Sequence, residues 1–136
     1  MLLAIAVLDI DYFKRLNDSY GHPAGDEVLK CMVREITRVL RKGDILGRLG
    51  GEEFGILLHA SDERALAGIL ERVRDRVEGL VTKHDEAELR LTVSIGASFR
   101  ERGKPLCLES MLDAADEALY RAKNGGRNRV ELALLD

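Results

Sequence analysis

The stretch Leu2–Leu8, LLAIAVL, is an unbroken apolar run that stops at Asp9. A strand with one wet face alternates apolar and polar residues, whereas a strand covered on both faces is apolar at successive positions. The run therefore predicts a central strand, which needs a layer of other structure on each side. Asp9 falls where that strand leaves the interior, so its carboxylate belongs at the sheet's edge. An export signal is the competing reading of an apolar start, but no basic residue precedes the run and it passes directly into DIDYF. No later stretch is long enough to span a membrane, and no membrane contact is expected. At 136 residues the chain fits one domain, 1–136.

A short helix is predicted over Ile10–Ser19, ended by Gly21, with Pro23 suited to the first turn of the next helix. Val28, Leu29, Met32, Ile36, Val39 and Leu40 recur at helical spacing, and Gly43 follows as a stop. DILGRLGGEEFGILLH reads as a hairpin around a Gly-Gly turn. Asp62 is positioned to cap a helix striped by Leu66, Ile69, Leu70, Val73, Val77 and Leu80. LRLTVSIGASF alternates with period two, with Leu91, Val93 and Ile95 on one face; a helix over Glu109–Lys123 and a strand at RVELALL complete the chain. The order β-α-α-β-β-α-β-α-β predicts an α+β fold, a split β-α-β sandwich whose mostly antiparallel central sheet is flanked by helices.

The formal charge of −3 is made of both signs interspersed, which argues against a nucleic-acid-binding face. An anionic ligand must then be met by a few placed cations. Cys31 and Cys107 form no metal-ligand spacing and suit a reducing, cytoplasmic setting; both are expected to be small core residues. The phosphate-loop, nucleophile-elbow and dinucleotide signatures are absent.

What remains is a set of carboxylates. Asp9 and Asp11 close the first strand, and Glu52 and Glu53 sit at the hairpin tip; if the two elements are neighbours in the sheet, these acids converge. Converging carboxylates raise one another's pKa unless a cation joins them, and hard oxygen donors suit Mg²⁺ or Mn²⁺ with nucleotide phosphates. Adjacent strand residues face opposite ways, so Glu52 and Glu53 are expected to take different positions. The plain alternative is a hairpin tip carrying solvated charge.

LDIDYFKRLNDSYGHPAGDEVL, RLGGEEF and ADEALYRAKNGGRNRV, in this order and at these separations, resemble the GGDEF domain of diguanylate cyclases, a likeness covering Leu3 to Val130. The resemblance implies a palm-type fold with its active site at the end of the first strand and the GGEEF hairpin. It implies an enzyme that joins two GTP into cyclic di-GMP and two pyrophosphates, each 3′-hydroxyl attacking the other nucleotide's α-phosphorus across a homodimer. By the family pattern Asp9, the main-chain carbonyl of Ile10, and Glu52 hold the metals, and Glu53 lies beside them; either glutamate is a candidate to take the hydroxyl proton. Gly50 and Gly51 leave room for the triphosphate. Asn17 and Asp26 match the guanine-reading positions, and Lys14, Lys123 and Arg127 match the phosphate contacts.

Arg41 and Asp44, in RKGD, match the family's RxxD product-inhibition site, and Arg72 matches its accessory arginine. An arginine fork can bind guanine O6 and N7 while an aspartate accepts from the other edge. Leu49 stands where the family usually has Tyr or Phe. The family's helix before the first strand and its D-x-L-T-like motif do not precede Leu2, so the chain is expected to be part of a longer signalling protein with an N-terminal sensor domain. Two other readings compete: a non-enzymatic cyclic di-GMP receptor, and a nucleotidyl cyclase or polymerase-like enzyme acting on another nucleotide.

Overall fold

The computed structural model describes residues 1–105 and 107–135. Its centre is β1 (Leu2–Ile10), flanked antiparallel by β3 (Glu53–Ala60) and β6 (Val93–Glu101). β2 (Ile45–Gly50) pairs antiparallel outside β3, and β7 (Val130–Leu134) runs parallel to β6, giving the order β2-β3-β1-β6-β7. The helices are α1 (Phe13–Tyr20), α2 (His22–Val39), α3 (Glu63–Glu78) and α4 (Leu108–Asn124).

The apolar run of β1 is explained by its two partners. Ala4, Ala6, Leu8 and Ile10 join the core built with Val28, Met32 and Ile36 of α2 and Leu66, Leu70, Val73 and Val77 of α3. Ile5 and Val7 point the other way, onto Met111, Ala115 and Leu119 of α4. Asp9 shares the parity of Ile5 and Val7 and so emerges on the α4 side. The contact between α4 and the sheet is close: a Cβ on Gly96 of β6 would stand 2.0 Å from the Leu119 nitrogen and 2.4 Å from the Ala115 carbonyl.

Several expectations are met locally. Asp62 caps α3, its Oδ1 accepting from the Ala65 N–H at 2.8 Å. Gly21, at φ +91°, divides α1 from α2, whose first turn holds Pro23. Others are corrected. α1 starts at Phe13 rather than Ile10, because β1 runs on through Ile10 and Tyr12 takes a left-handed φ of 58° that cannot lie inside the helix. α2 ends at Val39, with Leu40 extended, so Gly43 (φ +97°) belongs to a separate turn.

The stretch read as one strand, Leu89–Phe99, is divided: β4 (Thr82–His84) and β5 (Ala87–Leu89) form a small hairpin, and β6 begins at Val93. Its partner β1 ends opposite Val93, leaving beyond it the bond from the Asp11 N–H to the Thr92 carbonyl at 2.9 Å. The small hairpin turns on Asp85 and Glu86, both at positive φ, an unusual pair for a turn that favours Asn-Gly. Cys107 is exposed at the start of α4 and Cys31 is half-buried, so neither is the core residue expected. No helix among the described residues is long and apolar enough to cross a membrane.

Candidate active site

The sheet register brings the hairpin tip to the end of β1. Asp9 lies opposite Glu53, and the Ile10 N–H donates to the Glu52 carbonyl at 3.3 Å. The loop between Gly50 and Glu53 is Gly51–Glu52, with Gly51 at φ +51°. A bulge skips Leu49 in the β2–β3 ladder, and Arg48 Nε donates to the Gly51 carbonyl at 2.9 Å, which braces the turn. A Cβ at Gly50 or Gly51 would meet nothing within 4 Å among the described residues, so there is room above the turn. Glu52 sits in the turn and Glu53 in the strand, in line with the expected separation of their positions.

Lys123, near the end of α4, donates from Nζ to Asp9 Oδ2 at 2.5 Å; the side chains are 32% and 14% exposed. The carboxyl of Glu53 is raised above its ordinary pKa, first by burial and then by the charges of Asp116 on α4 and of Asp9, with Lys123 opposing and Glu52 adding. Asp116 is raised as well, by burial and by Asp113. The corner is thus crowded with negative charge, and Lys123 is a cation close to it. This donor set fits a hard divalent ion. Among the described residues, no three His, Cys, Asp or Glu side chains already converge as ligands, and Asp9 is engaged by Lys123.

Asp11 departs from the expected convergence. It is buried and accepts from Thr92 Oγ1 at 2.6 Å, Ser94 Oγ at 2.7 Å and the Asn128 N–H at 3.0 Å. The carboxylate ties the end of β1 to the start of β6 and to the loop after α4. Arg127, in that loop, lies 3.9 Å from Asp11 and stacks at 4.8 Å on the Tyr12 ring, which Arg15 approaches at 4.5 Å. Lys123 is therefore at the acidic corner, and Arg127 lies against Asp11 and Tyr12, just past the end of β1.

Asn17 of α1 sits against α2. Its Oδ1 would be 1.9 Å from a Cβ on Gly25, so the absence of a side chain at Gly25 is what admits it. That Oδ1 is buried with no hydrogen-bond partner among the described residues. A buried acceptor left unpaired is costly, and a ligand donor entering between the helices would satisfy it. Asp26 follows Gly25 and is exposed, past the first turn of α2, so helix-end charge does not explain it. Lys14 is exposed on α1.

RKGD forms a closed turn. The Arg41 N–H donates to Asp44 Oδ2 at 2.8 Å and the Asp44 N–H to the Arg41 carbonyl at 3.0 Å. The Arg41 guanidinium reaches Asp44 Oδ2 at 3.3 Å and also donates to the His59 carbonyl. Arg72 is exposed on α3, and among the described residues no polar contact joins it to this turn. Sequence reasoning did not single out Arg48 or Asp116, nor the anchoring role of Asp11. Only its place in RLGGEEF marked Arg48.

Residues 1–129 match the family described as diguanylate cyclase, GGDEF domain. The diguanylate cyclase DgcP of Pseudomonas aeruginosa is 44% identical over 131 residues, 96% of this chain and 19% of that protein, so the chain spans about a fifth of this relative. The structure of the diguanylate cyclase SiaD with its activator SiaC, from P. aeruginosa, superposes with a TM-score of 0.89 at 37% identity, over 97% of this chain and 50% of that one. The GGDEF domain of DgcB from Caulobacter crescentus, solved with c-di-GMP, gives 0.87 at 36% identity, over 96% and 77%. The expected α+β, palm-type fold is the fold of these domains.

Proposed function

The chain belongs to the GGDEF family of diguanylate cyclase domains, and from that premise we propose that it condenses two GTP into cyclic di-GMP and two pyrophosphates as a homodimer. The observation that carries this reading is the register that sets Glu53 opposite Asp9, with the GGEEF turn bonded to Ile10. Each protomer binds one GTP. Each 3′-hydroxyl gives up its proton as its oxygen bonds to the other nucleotide's α-phosphorus, and the bond to the departing pyrophosphate breaks.

Glu53 lies beside the metal ligands, opposite Asp9, and either it or Glu52 takes the hydroxyl proton in this scheme. Asp9, the Ile10 carbonyl and Glu52 would hold Mg²⁺ or Mn²⁺, which offsets charge on the phosphoryl oxygens when bound. Lys123, released from Asp9, and Lys14 and Arg127 neutralise the triphosphate, and the side-chain-free backbone at Gly50 and Gly51 lets it approach. The orphan Oδ1 of Asn17 accepts from guanine, and Asp26 takes the base's remaining N–H groups. Adenine presents no ring N–H there and would leave that acceptor unpaired.

Cyclic di-GMP acts as product inhibitor at Arg41 and Asp44, with Arg72 as the accessory arginine. Binding requires Arg41 to give up its bonds to Asp44 and the His59 carbonyl. The domain is read as the cytoplasmic catalytic part of a longer protein whose sensor domain brings two copies together. The test is turnover of GTP by a dimer-enforced chain carrying Asp9→Ala or Glu52→Ala. Both variants are expected to stay folded, since these acids lie at the sheet edge, and to lose activity; unchanged turnover in either refutes the metal assignment.

A further inference from the structure

The loop joining α4 to β7 has an improbable backbone. Gly126, Arg127 and Asn128 all have positive φ, at 126°, 63° and 45°, and the last two are not glycine. Successive left-handed residues with side chains persist only where the surroundings hold them. The Gly126 N–H donates to the Lys123 carbonyl at 3.4 Å, the Arg127 N–H to the Ala122 carbonyl at 2.9 Å and the Asn128 N–H to the Asp11 carboxylate, while Arg129 Nε donates to the Arg127 carbonyl at 3.1 Å. A further tie comes from α3. Arg74 Nη1 donates to Asn128 Oδ1 at 2.9 Å, and Asn128 Nδ2 donates to Glu78 Oε2, so both ends of the amide are read.

Arg74 is itself fixed, by Glu71 at 3.0 Å and Glu78 at 3.3 Å, and is only 16% exposed. The Glu78 carboxyl is held below its ordinary pKa by the Asn128 amide and Arg74. α3 already docks through Leu66, Leu70, Val73 and Val77, so the core does not need this polar contact. What it does fix is the residue beside Arg127. We propose that Arg74 and Glu78 are positioning residues for triphosphate binding: by gripping the Asn128 amide they hold the left-handed loop that aims Arg127 at the nucleotide's phosphates. The inference rests on Arg127 being a phosphate contact.

The test is isothermal titration of the folded chain with a GTP analogue uncleavable between the α- and β-phosphates, and in parallel with guanosine. Arg74→Lys keeps the charge but loses the planar fork that spans Asn128 and two glutamates. Asn128→Gly suits the positive φ yet deletes the amide. Each is expected to weaken the triphosphate about tenfold and to leave guanosine unchanged, a selectivity that general destabilisation does not produce. Arg127→Ala supplies the control: if it leaves triphosphate affinity unchanged, the phosphate reading of Arg127 fails. If Arg127→Ala weakens binding and neither Arg74→Lys nor Asn128→Gly does, the positioning inference fails. In the Arg127→Ala background, Arg74→Lys is expected to add less than twofold. An undiminished tenfold loss there would show that Arg74 acts by another route.

Discussion

Gly96→Ala is the perturbation that most sharply tests how α4 is seated. The added Cβ would stand 2.0 Å from the Leu119 nitrogen, 2.4 Å from the Ala115 carbonyl and 2.6 Å from the Leu119 Cα, where ordinary contact begins near 3.4 Å. All three atoms are helix backbone, so no side chain can rotate away. Relief requires α4 to retreat by ~1.4 Å, and a gap of that size forfeits much of the dispersion between Met111, Ala115 and Leu119 and the underlying Ile5 and Val7. Overpacking ordinarily costs about 1–3 kcal/mol, and the backbone clash puts this case at roughly 3 kcal/mol or above. With a urea dependence of about 1.5–3 kcal/mol/M, the midpoint should fall by about 1–2 M. Lys123 lies one turn beyond Leu119, so its 2.5 Å bond to Asp9 should open and nucleotide affinity should fall. Urea denaturation followed by circular dichroism, with nucleotide titration of the folded variant, reads both effects. An unchanged midpoint together with unchanged affinity would show that α4 is not seated closely on Gly96.

Glu53→Gln is expected to abolish turnover yet raise the melting temperature at pH 7. The folded carboxyl titrates above the unfolded value of 4.5, so the folded state binds more protons between the two values and native stability declines as pH rises through that window. The stabilising effect of Gln should therefore vanish below about pH 4.5, and melting curves from pH 3.5 to 7.5 that show no such dependence contradict the assignment. Asp11→Ala leaves two hydroxyls and the Asn128 N–H without their acceptor, a loss of about 3–5 kcal/mol by denaturation; a loss below 1 kcal/mol would show that water replaces the carboxylate. Arg41→Ala should relieve inhibition by added cyclic di-GMP with little change in initial rate, and a progress curve still inhibited equally rules that turn out as the product site.

The parts of the fold legible in the sequence are those in which one residue type has one cheap use. The unbroken LLAIAVL needed cover on both sides and has it, from α2 and α3 on one face and α4 on the other. Asp62 as a cap, and Gly21 with Pro23 between two helices, are local chemistry and fell where expected. The small β4–β5 hairpin was not legible, because its turn is Asp85-Glu86 and the flanking strands are three residues each. Leu89 and Leu91 are buried as strand residues would be, yet the register with β1 ends at Val93, a tertiary limit that alternation cannot report. Within the site, the GGEEF tip and Asp9 were readable as neighbours once a hairpin was assumed to lie beside the first strand. Asp11 looked equivalent to Asp9, and only the hydroxyls of Thr92 and Ser94, distant in sequence, turn it into an anchor. Gly96 and the Arg74–Asn128 contact depend on how α4 and α3 pack, which no local pattern encodes.

The carboxylates at the end of β1 and the GGEEF turn are proposed to serve synthesis of cyclic di-GMP from GTP. The direct measurement is chromatographic and mass analysis of the products formed when a dimer-enforced chain is incubated with Mg²⁺ and GTP, or with ATP, while product is continuously removed. Cyclic di-GMP and pyrophosphate in a one-to-two ratio are expected from GTP, and no cyclic dinucleotide from ATP. GTP left intact while the chain binds cyclic di-GMP would make it a receptor, and an ATP-derived product would make it a cyclase of another nucleotide; either overturns the assignment of diguanylate cyclase activity.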